Sequence, residues 1–462
     1  MVSIYKWATT FFFSTVIFTC PVKAIASKID LEAGVYSELI WTDNADIASV
    51  KRDSDIYTSI NPYVRAKRDG KRIKANIDYQ AKVIAYNKHT GRNDLNHLLR
   101  GNLDAELLKE RLFTNIYVAV DREVVDPDSA ISFDDLLYGD NTTDKYTARV
   151  SPGGVIPIFK DIGLDFSSSH GKILYDYGLA DVDEHKANAS LGTASRSSGV
   201  NWGVNAGKQY VQTENNNPSE YEQIDFSASV PVFNRTLLSV KYGEKREVLS
   251  STADRSWQKG KVWSCNLGYA LSSKTKLEFG GGEDLYNDQL LFSLTHAAVR
   301  SHVKVNYIQS EITLITQEIN EDMDRVRAQK FGRAIDAVYV QKKGDISWRL
   351  IGSKNIIDLY LAHEERYYRN IDENENMIRA RLMWEHKVSG RSNLRAAVNW
   401  WRLGDDQQDR LDDMAFYSLR YNINFDSKSN WYAGVDAGIR DGVQSALEYK
   451  EFKFRIGAEL RY

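Results

Sequence analysis

Long hydrophobic runs are nearly absent from this 462-residue chain, whose mean hydropathy is −0.46. That excludes a bundle of transmembrane helices, each of which needs about 20 consecutive apolar residues. The one apolar run, about Trp7 to Cys20, follows a basic Lys6 and precedes the small residues Ala24 and Ala26. It reads as a secretory signal cut after Ala26, with Ala24 as the rival site, and it is too short for a membrane anchor. Cys20 is not read as a lipid-anchored cysteine, because Ile17-Phe18-Thr19 is a poor lipobox and Pro21 follows. Cysteine is scarce too: past the signal only Cys265 remains, so an exported chain of this length has no intrachain disulfide to hold it. Proline is limited to seven, and no linker or low-complexity tract divides residues 27–462. Sixty basic residues balance 63 acidic ones, which excludes the basic face that nucleic acid demands. Helical periodicity is also lacking, apart from "NEDMDRVRAQK", which reads as a short helix within a loop.

What is present is alternation. In "RIKANIDYQAKVIAY" the residues Ile73, Ala75, Ile77, Tyr79, Ala81, Val83 and Ala85 share one face, and Arg72, Lys74, Asn76, Asp78, Gln80 and Lys82 share the other. "VWSCNLGYAL", "MIRARLMWEHKV", "FYSLRYNINF" and "WYAGVDAGI" repeat the pattern, as does the terminal "EFKFRIGAELRY". About 22 such segments of roughly 10–17 residues can be read, long for a soluble sandwich. Tight links at Asp69-Gly70, 109–111, Ser197-Ser198, Phe233-Asn234, Ser272-Ser273, Gly352-Ser353, Ser389-Gly390 and Asp426–Ser429 alternate with longer ones at 42–54, 122–144, 176–184, 214–219, 248–256, 310–330, 369–376 and 403–412. Short turns on one rim and long loops on the other are the pattern of an up-and-down barrel in an outer membrane. The expected fold is therefore all-β: one antiparallel transmembrane β-barrel of roughly 18–22 strands occupying 27–462, behind a signal at 1–26. A large exported soluble β protein is the alternative.

In such a barrel ions belong inside, because charges facing lipid near the midplane cost about 2–4 kcal/mol each. The cleanest strands put Arg65, Arg72, Lys74, Asp78, Lys82, Arg379, Arg381, Glu385, Arg420, Asp436, Arg440, Lys453, Arg455, Glu459 and Arg461 in the lumen. Bases outnumber acids there, which favours anionic solutes; a ladder of cross-strand ion pairs that only props the wall is the plainer reading. Trp400-Trp401 and Tyr367-Tyr368 fit aromatic girdles at the membrane interface, with a sugar-stacking slide as the alternative. The acidic stretches "DREVVDPDSAISFDDLLYGDNTTD" and "GDDQQDRLDD" read as solvated outer loops, since their spacing does not match D-x-[DN]-x-[DN]-G.

No enzyme motif is complete. "HEER" at His363–Arg366 lacks a second histidine, "SSSHGK" around His170 has no nucleophile elbow, and "FGGGED" at Phe279–Asp284 lacks a phosphate-binding lysine and reads as a glycine-softened strand. No catalytic residue, cofactor or metal is expected, and Cys265 falls on an apolar face as an inert small hydrophobe.

At the C-terminus Phe452, Phe454, Ile456, Leu460 and Tyr462 resemble the assembly signal of Gram-negative outer-membrane barrels, which implies the barrel-assembly machinery as a partner. The segments "SELIWTDNAD", "NHLLRGNLDAELLKERLFTNIYVAVDRE", "RVSPGGVIP" and "SLTHAAVRSHVKVNY" are similar to a family of large outer-membrane barrels associated with PEP-CTERM/exosortase systems and their exopolysaccharide gene sets. That resemblance implies a setting in polysaccharide or surface-protein export, with periplasmic export components as partners. The expected function is a porin-like channel for hydrophilic solutes in the outer membrane, embedded in lipid and lipopolysaccharide. The alternative is a non-conducting barrel that displays acidic loops. The sequence shows no separate plug domain.

Overall fold

In the computed structural model the described residues are 29–46, 51–125, 142–193, 199–214, 217–248, 257–313, 338–368, 373–405, 410–442 and 448–462. The signal, the candidate helix at 320–330 and the turn at Ser197-Ser198 lie outside them. The alternating segments form 22 strands: β1 (Ile29–Thr42), β2 (Asp55–Asp69), β3 (Ile73–Tyr86), β4 (Asp94–Leu108), β5 (Leu112–Val124), β6 (Thr142–Phe159), β7 (Ile162–Tyr175), β8 (Val182–Thr193), β9 (Asn201–Thr213), β10 (Ser219–Phe233), β11 (Thr236–Val248), β12 (Gln258–Ala270), β13 (Thr275–Glu283), β14 (Asp288–Ala297), β15 (Ser301–Thr313), β16 (Val338–Ile351), β17 (Asn355–Tyr368), β18 (Glu373–Lys387), β19 (Ser392–Asp405), β20 (Arg410–Asn424), β21 (Ser429–Gly442) and β22 (Tyr449–Arg461).

Each strand pairs antiparallel with its neighbours in sequence, and β1 pairs with β22 from Gly34↔Arg461 to Thr42↔Lys453, which closes the sheet. Closure leaves no free edge, so backbone polar groups are satisfied inside hydrocarbon. The strand count is the upper end of the expected range. Both described ends of the chain lie on the rim of the short turns, the periplasmic rim of an outer-membrane barrel.

Several links escape a sequence reading, and all but one of them carry no glycine or proline cue. Lys160-Asp161 and 298–300 are further short turns, and 87–93, 284–287 and 443–448 are further outer links. In the turn after β20, Asp426 Oδ1 accepts the backbone N–H of Lys428 at 2.8 Å and of Ser429 at 2.7 Å, and these donors hold its carboxyl below the ordinary carboxylate range. This is the local hydrogen bonding that makes aspartate a turn former.

The apolar face points outward. On β22 Phe452, Phe454, Ile456 and Leu460 are 41–46% exposed, whereas Lys453, Arg455 and Glu459 between them are 2–3% exposed. Cys265 is exposed with that apolar face. The same alternation splits both aromatic pairs. Tyr367 faces out and Tyr368 faces in at 5% exposure, and in β19 Trp401 stands in the inward row opposite Arg379 while Trp400 faces out. Neither pair is a girdle of two rings, because successive strand residues point to opposite sides. Single outward rings, such as Trp263 toward the outer rim and Trp431 toward the periplasmic rim, mark the interfaces instead.

Candidate functional site: the lumen

The inner wall divides by height. Toward the outer rim its inward residues are almost fully covered: Thr42, Tyr57, Thr143, Lys145, Glu247, Tyr339, Arg366 and Tyr449 are each at most 3% exposed. Such burial comes from neighbouring inward side chains and from chain folded over the wall. Described parts of the outer links do this. Asn44 is fully buried and its Nδ2 donates to the Lys450 carbonyl at 3.0 Å, and Leu179 packs on Ile173, Tyr175, Val182 and Val211. Of the long links 122–144 and 310–330, residues 126–141 and 314–330 are outside the described residues.

The periplasmic half is open, and a cavity of about 1150 Å³ runs along β3 to β11. It lies there because the inward side chains of that wall are short: Ser151, Gly153, Ser167, Ser190, Asn205 and Gly207 line it. Hydroxyls and amides pair along the wall. Ser151 Oγ donates to Ser169 Oγ at 3.0 Å, Ser190 Oγ to Asn205 Oδ1 at 2.6 Å, and Asn205 Nδ2 to Asp225 Oδ1 at 2.8 Å. Cations stand at its edge. Lys71, Arg72 and Lys186 line the cavity with no carboxylate in ion-pair range among the described residues, and Lys74 is 3.9 Å from Asp69.

The adjoining wall, from β20 across the closing seam to β3, is ionic. Arg65 meets Asp78 at 3.1 Å and Glu32 at 3.3 Å; Arg455 meets Asp436 at 2.5 Å and Glu38 at 3.5 Å; Arg440 meets Asp412 at 3.2 Å. Arg420 lies 3.9 Å from Asp436, Lys453 3.1 Å from Glu451, and Glu459 takes both Arg461 and, at 2.9 Å, the Tyr63 hydroxyl. Of the residues expected in the lumen, Arg65, Asp78, Arg420, Asp436, Arg440, Lys453, Arg455, Glu459 and Arg461 thus join this network. Lys82 faces inward, and Lys74, Arg379, Arg381 and Glu385 face inward apart from the network, with Glu385 accepting from Asn393 Nδ2 at 2.9 Å. Arg72 belongs to the turn before β3 rather than to the strand.

Two ionic clusters have no sequence motif. Arg366 is 2% exposed, 2.6 Å from Glu364 and 3.6 Å from Glu375, with its guanidinium over the Tyr339 ring. Lys245 is held by Glu311 at 2.7 Å, Asp284 at 3.1 Å and Glu247 at 4.0 Å. The acidic stretch at 404–413 also differs from its expectation as a loop. Asp412 and Asp413 are strand residues, and Asp413 binds Arg402 bidentately at 2.7 and 2.8 Å on the outer face. His363 and Glu364 of "HEER" point to opposite sides, so they share no site.

No protein-family model matches the chain, and no curated relative does. Solved structures match in fold. The siderophore receptor PirA of Pseudomonas aeruginosa is 8% identical at a TM-score of 0.53, covering 95% of this chain and 81% of its own. The ferric-catecholate import receptor Fiu of E. coli K12 is 7% identical at 0.55, covering 95% and 82%. The FrpB iron transporter of Neisseria meningitidis is 6% identical at 0.55, covering 94% and 83%. These proteins are receptors and transporters rather than enzymes, and the likeness is one of fold: an outer-membrane β-barrel.

Proposed function

We propose that the barrel carries hydrophilic, preferentially anionic solutes across the outer membrane. The supporting observation is the cavity: hydroxyls and amides line its wall beside six Lys or Arg and four Asp or Glu, and Lys71, Arg72 and Lys186 have no carboxylate in ion-pair range among the described residues. Such a wall exchanges hydrogen bonds with hydroxyl-rich solutes, and the cations favour those with carboxylate or phosphate groups. The receptor-like fold supports a transport role, and the similarity to barrels of PEP-CTERM/exosortase systems suggests an exported polysaccharide as cargo. Export by the signal at 1–26, assembly through Phe452, Phe454, Ile456, Leu460 and Tyr462, and contacts with periplasmic export components belong to the same reading. The test is single-channel conductance of the refolded chain in a planar bilayer. Openings blocked by an acidic oligosaccharide at lower concentration than by a neutral one of equal length support the reading. Equal block by the two removes the anionic preference.

The covered outer half of the lumen favours a second reading, a closed barrel that displays its acidic outer links. A heat-modifiable, folded barrel that conducts nothing would establish it over transport.

A further inference from the structure

The two rims carry opposite charge. The ten short periplasmic turns hold twelve Lys or Arg against three Asp or Glu, while the outer links hold 22 acids against ten bases. Chain-wide net charge is only −3, so the asymmetry arises from where the topology puts the charges. The turn cations are paired with grease. Phe159 precedes Lys160, Phe233 precedes Arg235 and Val299 precedes Arg300, these apolar residues being 69, 74 and 88% exposed. An exposed large apolar residue followed within three positions by a cation occurs in eight of the ten turns.

Among the described residues the three register shifts of the wall fall just before such turns, at Glu106/Leu108, Pro157/Phe159 and Pro231/Phe233. A bulge re-aims a side chain. A rim that only needed solubility would carry the cations without the grease. One that docked an acidic soluble partner would not repeat exposed apolar groups around its whole circumference. The couplet suits a lipid interface, where the apolar member enters the acyl boundary and the cation meets phosphate.

At one place the couplet is a built groove. Leu108, Leu112, Ile156, Pro157 and Phe166 line a recess of about 240 Å³, and Arg111 stands at its edge. The Arg111 carbonyl accepts the Val155 N–H at 2.8 Å, which ties the two walls of the groove together, and the guanidinium has no carboxylate in ion-pair range among the described residues.

We infer that the periplasmic rim binds anionic phospholipid of the inner leaflet. The groove under Arg111 is a discrete site on it, phosphate on the guanidinium and acyl chain along Leu108, Leu112 and Phe166. This rests on the barrel fold and not on the transport reading.

The test uses the refolded full chain in bilayers containing dibrominated phosphatidylglycerol or dibrominated phosphatidylcholine. Relative affinity is read from quenching of tryptophan emission. The expected result is a preference for phosphatidylglycerol at low salt that vanishes at 1 M salt, since each engaged cation is worth roughly fivefold. Native mass spectrometry reads the groove itself: the wild-type chain retains phosphatidylglycerol, and the exposed turn variant Arg111→Gln retains roughly fivefold less. Equal quenching by the two lipids at low salt overturns the inference. So does binding of polyglutamate at the rim without any lipid preference, which would assign the rim to an acidic protein instead.

Discussion

Lys245 on β11 and Glu311 on β15 stand 2.7 Å apart, although three strands separate them in the wall. The contact exists because β13 and β14 are the two shortest strands, with 9 and 10 residues. Above their tip, 258–262 of β12 pair only with β11 and 310–313 of β15 only with β16. Lys245, Asp284 and Glu311 close the notch where the backbone ladder stops, and Gln289 Nε2 adds a bond to Asp284 at 3.0 Å. Lys245→Met should therefore destabilise the barrel by about 3–5 kcal/mol, the usual result of removing one partner from a buried ion cluster. Denaturant unfolding in detergent micelles checks this; a loss within about 0.5 kcal/mol, the range of an ordinary surface substitution, means the notch does not depend on the cluster.

Gly34 explains how the barrel closes. A Cβ there would lie 2.5 Å from the Leu460 carbonyl and from the Tyr63 hydroxyl, so the Tyr63 ring lies over the glycine and reaches Glu459. Gly457 beneath Tyr432 repeats the device at the other side of the seam. Gly34→Ala should cost about 1–3 kcal/mol by overpacking, because a backbone carbonyl cannot give way as a flexible side chain does. Gly91→Ala, where nothing lies within 4 Å, is the control. Equal melting temperatures for the two variants would refute the steric account.

A histidine ties two outer links together. His89 Nδ1 is 2.9 Å from Asp55, and Nε2 is 3.3 Å from Asp46 and 3.5 Å from Asp53. Its pKa is raised, first by the hydrogen bond to Asp55, against desolvation and with help from Asp46 and Asp53. A raised folded-state value means the stabilisation is fully present below the unfolded value of about 6.5 and is lost as pH rises through the folded one. Hydrogen exchange of 43–46 and 87–93 should accordingly be slower at pH 5.5 than at pH 9 after correction for intrinsic rates. In His89→Gln that difference should disappear. Its persistence in the variant would assign the pH response to another group.

Alternation made the membrane-spanning body of each strand legible, and it is least ambiguous in β22, where every ion from Glu451 onward lies inward. It failed at the rims for a physical reason. About 9–11 residues cross the hydrocarbon, and longer strands continue into water, where both faces are polar. In "GEKREV" Glu244 and Arg246 alternate with Lys245 and Glu247, so no face announces itself, and the Lys245 cluster further needs a partner 66 residues away. The cavity was equally hidden. Its small lining residues are serines, asparagines and glycines scattered over strands β5 to β9, each unremarkable until the register stacks them.

The direction of the wall can be tested on two consecutive residues. Phe454 sits near the middle of β22 and faces out, and Arg455 faces in to Asp436. Phe454→Arg places a charge on the lipid side near the midplane and should cost about 2–4 kcal/mol of folding stability in lipid vesicles. The same substitution in a soluble sandwich would instead put an arginine in a packed core and prevent folding in water. A Phe454→Arg chain that folds into vesicles as readily as wild type would contradict the lipid-facing assignment.

The solute preference can be tested through charge alone. Lys186 lines the cavity wall, and Arg379 and Arg381 face inward on β18 as exposed side chains. A lumen potential of a few kT concentrates anions over cations by roughly tenfold, and screening confines each charge to about 10 Å at 0.1 M salt. Replacing all three by glutamine should therefore move the reversal potential under a salt gradient toward cation selectivity while leaving the ion-paired wall around Arg455 intact. Because the three side chains stand outside the salt-bridge network, the barrel should keep its heat-modifiability, so a selectivity change is read on a folded pore. An unchanged reversal potential would mean that the permeating ions do not sense these three charges, and the anionic preference would then lose its basis.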